Sequence, residues 1–173
     1  MKIGDFKGSE PRFVLEEYFT GRTKAWGIVR DRFGSIRRQF VVDMVGHWDG
    51  AVLTLNEKFT YNDGETDERV WTIRKIDENN YEGTAPDVVG KASGTSLGNA
   101  LNWHYTLALK IGERTWEVSF DDWMLLQSDG VLFNRAEMSK LGIRLGEISL
   151  FFKKEVPGGA ATVGGAAMTA AAE

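Results

Sequence analysis

Turn signals recur through the middle of this chain at a spacing that few folds can use. Phe33-Gly34, Asp49-Gly50, Asp63-Gly64, Asn79-Asn80, Ile111-Gly112 and Asp129-Gly130 are separated by 16, 14, 16, 32 and 18 residues. Gly90, Gly94 and Gly98 fall near the middle of the long gap. Asp-Gly and Asn-Asn pairs favour the positive φ of tight hairpin turns. Each interval leaves a strand of roughly 10 to 13 residues, about twice the usual length in globular sheets. Long antiparallel strands in sequence order are best served by closing the sheet, which removes its edges. The expectation is an all-β chain, an antiparallel up-and-down β-barrel of about 8–10 strands between Arg22 and Lys154. A β-sandwich is the alternative, but its turns would recur every ~8 to 12 residues.

The flanks differ from this middle. Ser9 is a candidate cap, Pro11 suits a first helical turn and Gly21 follows the last, which predicts one short N-terminal helix. Val14, Leu15, Tyr18 and Phe19 form one stripe of it, apart from Phe13, Glu16, Glu17 and Thr20, so one face can cover a core. Beyond Pro157 the chain is almost entirely Ala and Gly, a composition that predicts a disordered tail. The division that follows is an extension with a short helix over 1–21, a barrel over 22–155 and a tail over 156–173.

Composition narrows the function classes. At 173 residues, with 42% hydrophobic residues and 6 Trp, the chain is one folded domain with a real core. Its net charge is −4 and no Lys/Arg run exceeds two residues, so the basic footprint of a nucleic-acid binder is missing. There is no Cys, which removes disulfides, thiolate nucleophiles and Cys-based zinc sites. No run of 18 apolar residues occurs, and Met1 to Gly8 lacks the apolar centre of a signal peptide. The expected location is cytoplasmic.

In a sheet, alternate residues share a face. Reading by twos gives the stripes Leu53, Leu55, Glu57, Phe59, Tyr61; Arg69, Trp71, Ile73; Leu101, Trp103, Tyr105, Leu107, Leu109; Trp116, Val118, Phe120, Asp122, Met124; and Val131, Phe133, Arg135. The informative residues are the charges inside these apolar stripes: Glu57, Arg69, Asp122 and Arg135. A lone buried charge is too costly to keep, so they either pair with one another or face a wet cavity. As a site, they form the polar floor of a pocket with Trp103, Tyr105, Trp116 and Trp123 as walls. As plain structure, they form an ion-pair network, with Asp122 bound to Arg135 or Arg69, in a barrel filled by its own aromatics.

Other motifs carry less. Gly94-Thr95-Ser96-Leu97-Gly98 has the letters of a nucleophile elbow, but a strand pattern follows where a helix is needed and no His comes after Asp121, so a Gly-rich hairpin loop is the better reading. His47 and His104 lie opposite the apolar stripes and have no partner at ligand spacing. No nucleotide-cradling glycine loop is present, and no cofactor or metal is expected. Asp121-Asp122 point to opposite faces of a strand and cannot share a proton. Asp63, Glu65, Asp67 and Glu68 surround a turn without calcium-loop spacing, which suits a solvated hairpin.

Four stretches, LEEYFTGRTKAWG from Leu15 to Gly27, GNALNW from Gly98 to Trp103, FDDWM from Phe120 to Met124 and NRAEMSKLG from Asn134 to Gly142, together resemble an uncharacterised bacterial family. It is known only as a domain of unknown function, and many members are described as lipoproteins. The resemblance runs to about Lys154 and implies a lipocalin-like (calycin) β-barrel, but no substrate or catalytic residue. This chain departs from the lipoprotein members in having no lipobox Cys and no signal peptide, which argues against membrane anchoring.

The leading expectation is a carrier or sensor of a small hydrophobic or amphipathic, lipid-like ligand. Arg69, Arg135, Glu57 and Asp122 would orient its polar head, and an Arg fork suits a carboxylate. On that reading Arg135→Ala weakens binding more than folding. The alternatives are a cofactor-free isomerase or cyclase using Asp122 or Tyr105 as acid/base, and a structural or interaction barrel with a filled interior.

Overall fold

The computed structural model describes residues 1–156. Its core is a closed antiparallel barrel of ten strands in which each strand pairs with its neighbours in sequence and the first pairs with the last. The strands are β1 (Gly21–Asp31), β2 (Ile36–Trp48), β3 (Val52–Tyr61), β4 (Thr66–Lys75), β5 (Asn80–Thr84), β6 (Ala92–Leu97), β7 (Ala100–Ile111), β8 (Arg114–Leu126), β9 (Leu132–Lys140) and β10 (Ile143–Lys154). The two-sheet alternative is excluded by this closure. The paired turn signals read from the sequence fall at or between strand ends, with Asn80 opening β5 and Ile111 closing β7, whereas Gly94 lies inside β6; Gly50 and Gly130, for example, hold φ of 100° and 83°, a conformation that costs glycine little. The tail expected over 156–173 lies, Val156 apart, outside the described residues.

β5 and β6 span only 5 and 6 residues, so β4 and β7 extend past them. The connection between the short strands fills the space. Val88 bridges to Leu107, Val89 N–H donates to the Thr106 carbonyl at 2.8 Å, and Ala108 N–H donates to the Asp87 carbonyl at 2.8 Å. This places the Asp87 side chain beside the outer half of β4.

The N-terminal segment departs from the expected helix. A 3₁₀ turn spans Ile3–Phe6, and the one α-helix among the described residues, α1, is Leu15–Phe19. Ser9 and Pro11 do not begin it, because Phe13 N–H donates to the Gly98 carbonyl at 2.8 Å, which commits the preceding backbone to the barrel. Of the expected apolar stripe, Leu15, Tyr18 and Phe19 are buried and Val14 is half-buried, but Phe13 and Glu16 from the opposite stripe are buried as well, so both faces of this stretch meet the barrel. Burial of each apolar side chain is worth about 2 kcal/mol. The Tyr18 hydroxyl donates to the carbonyls of Gly130 (3.0 Å) and Phe152 (3.2 Å), and the Ser96 hydroxyl donates to the Phe13 carbonyl at 2.6 Å. Ser96 is therefore an anchor on strand β6, not part of a hairpin loop.

Glu16 is the buried charge of this plug. It pairs with Lys75 and accepts a hydrogen bond from the Tyr81 hydroxyl at 2.8 Å. Burial pushes its carboxyl up, but the Lys75 and Tyr81 bonds outweigh that and hold it below the ordinary carboxylate value. α1 is thus tied down at one end of the barrel by apolar contact, hydrogen bonds and an ion pair.

Candidate functional site

Inside the barrel, Leu15 and Phe19 of α1 and residues from seven of the strands surround a cavity of about 120 Å³. A single water needs on the order of a tenth of that. Most of the wall is apolar: Leu55, Trp71, Ile73, Leu101, Trp103 and Leu150 among others. Trp103 fits because Gly83 and Gly94 leave its ring room; a Cβ on Gly83 would stand 2.7 Å from the indole. Trp71 packs edge-on against Trp103 and Tyr105 at centroid distances of 5.8 and 5.5 Å, and Tyr105 stacks on Phe120 at 4.9 Å. A second, more open pocket of about 470 Å³ lies around Trp26, Tyr61 and Phe151 and has no carboxylate or guanidinium in its wall.

Strand register assembles the polar part of the cavity. Glu57 and Arg69 are directly opposed across β3 and β4, and residues so opposed share a face. Arg69 Nη1 lies 3.7 Å from Glu57 Oε2. The other edge of the guanidinium is taken by Asp87, with Nε donating to Oδ1 at 3.0 Å and Nη2 donating to Oδ2 at 2.7 Å. Asp122 on β8 opposes Trp103 on β7 and Ala136 on β9. Its diagonal neighbours supply the hydrogen bonds: the Tyr105 hydroxyl donates to Oδ2 at 3.2 Å and the Asn134 amide donates to Oδ1.

Glu57 Oε2 is buried and accepts no hydrogen bond. Burial pushes its carboxyl up to about 7; the Arg69 charge lowers it, while Asp87 and Asp122 add to the rise. Burial likewise pushes Asp122 up to about 7 against the lowering effect of Asn134 and Tyr105. Burial, with Asp122 beside it, raises the Tyr105 hydroxyl well above its usual value, so it stays protonated. The cavity therefore holds one guanidinium, already bound twice, and two carboxyl groups that titrate near neutrality.

Of the eight side chains expected at the site, Glu57, Arg69, Asp122, Trp103 and Tyr105 line this one cavity. The other three do not. Trp116 points inward but beyond the cavity, packed with Leu107 and Val118 and covered by Lys140 Nζ 4.1 Å from its ring centre. Trp123 is on the outer wall against Phe6, at 5.8 Å between rings. Arg135 is also outside, exposed, and bound to Glu147 with Nη2 donating at 2.8 Å. Asp122 consequently pairs with neither arginine.

The error at Arg135 is a one-residue slip of β9. Met124 opposes Asn134, and Leu125 opposes Phe133, so Leu132, Asn134 and Ala136 face inward and are buried. A slip of one reverses every side chain. The apolar alternation Val131, Phe133 belongs to the outer face, where Phe133 meets Phe151 at 5.3 Å between rings. Asn134 and Asp87 were the site residues missed. Asn134 was hidden by the slip, and Asp87 sits in a connection with no periodic signal.

A family model described as "Protein of unknown function (DUF3833)" matches residues 1–154. The chain belongs to that family. No curated protein matches it.

Proposed function

We propose that this DUF3833 barrel binds a small, largely apolar ligand in its interior, as a lipocalin-like carrier or sensor would, with the ligand's polar end at Glu57, Arg69 and Asp122. The observation that carries this reading is an aromatic-walled cavity that contains a buried carboxylate oxygen without a hydrogen-bond partner. Buried polar atoms in native proteins are almost always satisfied, and a donor that enters the cavity Glu57 lines would supply the missing partner. Ten strands also favour it: barrel diameter grows with strand number, and about eight strands already enclose room for side chains or one small ligand. The interior here is accordingly lined by aromatics without being filled by them.

Native mass spectrometry of the protein purified from its own host, followed by solvent extraction and identification of what is released, tests this. A stoichiometric small apolar molecule is the expected result. A clean apoprotein mass that persists after incubation with a panel of small apolar alcohols, amines and acids overturns it.

A further inference from the structure

The polar groups of the cavity also constrain the charge of what enters, an inference that rests on the ligand-binding reading above. Arg69 looks at first like an anion receptor, but its bidentate Nε/Nη2 edge is closed by Asp87 and its Nη1 lies 3.7 Å from Glu57. A ligand carboxylate would have to displace Asp87 and sit among Glu57, Asp87 and Asp122, three acids facing one base. What remains open is acceptor capacity. Glu57 Oε2 accepts nothing, and each Asp122 oxygen accepts a single bond although it can take two. The walls add the aromatic rings of Trp71, Trp103 and Tyr105, and a ring face attracts a cation within about 6 Å of it.

We propose that the polar end of the ligand is the ammonium of a small hydrophobic amine, held by the Glu57 and Asp122 carboxylates within the Trp71, Trp103 and Tyr105 walls. The ammonium donates to Glu57 Oε2, the apolar body lies against Ile73, Leu101 and Leu150, and Arg69 with Asp87 holds the Glu57 side chain in place. Since amines of this kind are protonated throughout the neutral range, binding favours ionised Glu57 and Asp122 and releases the protons they carry at lower pH. Asp87, Arg69 and Tyr105 are the other ionisable groups facing the pair; the bonds to Asp87 keep Arg69 charged, and burial keeps the Tyr105 hydroxyl protonated, over that range.

Isothermal titration of the full chain with hexylamine, 1-hexanol and hexanoate tests this. The expected order is hexylamine tightest, with hexanoate weaker by about tenfold or more, a difference of about 1.4 kcal/mol. Hexylamine binding should tighten between about pH 6 and about pH 8 with measurable proton release. Glu57→Gln should weaken hexylamine by about tenfold and leave 1-hexanol nearly unchanged, which also shows that the variant is folded; Asp122→Asn provides the second, independent variant. Hexanoate or 1-hexanol binding as tightly as hexylamine overturns the cation assignment while leaving the ligand-binding reading intact. Failure of all three to bind overturns both.

Discussion

Two of the barrel's acid-arginine clusters differ in the direction they face, one in and one out. Inside, Glu57 and Asp122 are accompanied by Arg69 alone, and Asp87 competes for it. Outside, Glu147 is buried beneath three arginines: Arg30 on β1 at 2.5 Å, Arg135 on β9 at 2.8 Å and Arg144 on its own strand at 2.8 Å. Register shifts at Val29/Arg30 and Arg144/Gly146 let these side chains converge. The Arg135 hydrogen bond, against the effect of burial, holds Glu147 below the ordinary carboxylate value, helped by the charges of Arg30 and Arg144. Burial pushes Glu57 and Asp122 the other way, up to about 7. The inner acids lie much deeper and have fewer cations beside them, and both differences push their shifts the same way. Both Glu147 oxygens are bonded to guanidinium groups, although Arg30 Nε is itself a buried donor without a partner; the inner cluster has one guanidinium among its acids and an oxygen, Glu57 Oε2, without a hydrogen bond.

Removing the single inner cation should have the largest effect. Arg69→Met leaves Glu57, Asp87 and Asp122 uncompensated and should cost about 3–5 kcal/mol at pH 8, read from urea unfolding. The loss should shrink at pH 5, where Glu57 and Asp122 are protonated. An equal loss at both pH values would show that packing of the arginine stem, not charge, is what matters.

Next comes the pH dependence of the wild-type protein. The folded-state values of about 7 for Glu57 and Asp122 lie above their ordinary values of 4.5 and 3.8. The folded state thus binds more protons than the unfolded state between about pH 4 and pH 7, and stability falls as pH rises through that window. Glu16 and Glu147, both lowered, act oppositely, and their contribution is lost only as pH falls below the ordinary carboxylate range. Urea midpoints that rose from pH 5 to pH 8 would contradict the inner assignment. Glu57→Gln should remove part of the slope and gain on the order of 1–2 kcal/mol at pH 8, seen as a higher melting temperature there and little change near pH 4.5.

The outer cluster should respond less. Glu147→Gln is expected to cost on the order of 1 kcal/mol, because its arginines are 38–53% exposed and water screens them. Arg135→Ala should be the mildest, about 0.5 kcal/mol or less, with interior ligand affinity unchanged. A selective loss of affinity in that variant would mean that the outer wall is coupled to the cavity.

Local chemistry was enough to reach the barrel. Turn pairs at regular intervals and period-2 stripes are short-range signals, and they correctly placed Glu57, Arg69, Trp103, Tyr105 and Asp122 on inward faces. Where both faces of a strand are apolar, the same signal fails: Phe133 on the outer wall looked like core, and Arg135 and Trp123 were placed on the wrong side or in the wrong role. The helix start failed for a related reason, since Phe13 takes its backbone partner from Gly98, 85 residues away in the chain.

Alternation within a strand requires only that neighbours point in opposite directions, so turn rhythm and stripe composition suffice for an all-β closed sheet with charges in its interior. Partnership requires distances between strands. Asp87 on Arg69, Asn134 and Tyr105 on Asp122, and the orphan oxygen of Glu57 all follow from register and from a connection packed beside β7. Those contacts, and the balance of charge they leave in the cavity, exist only once the barrel has closed.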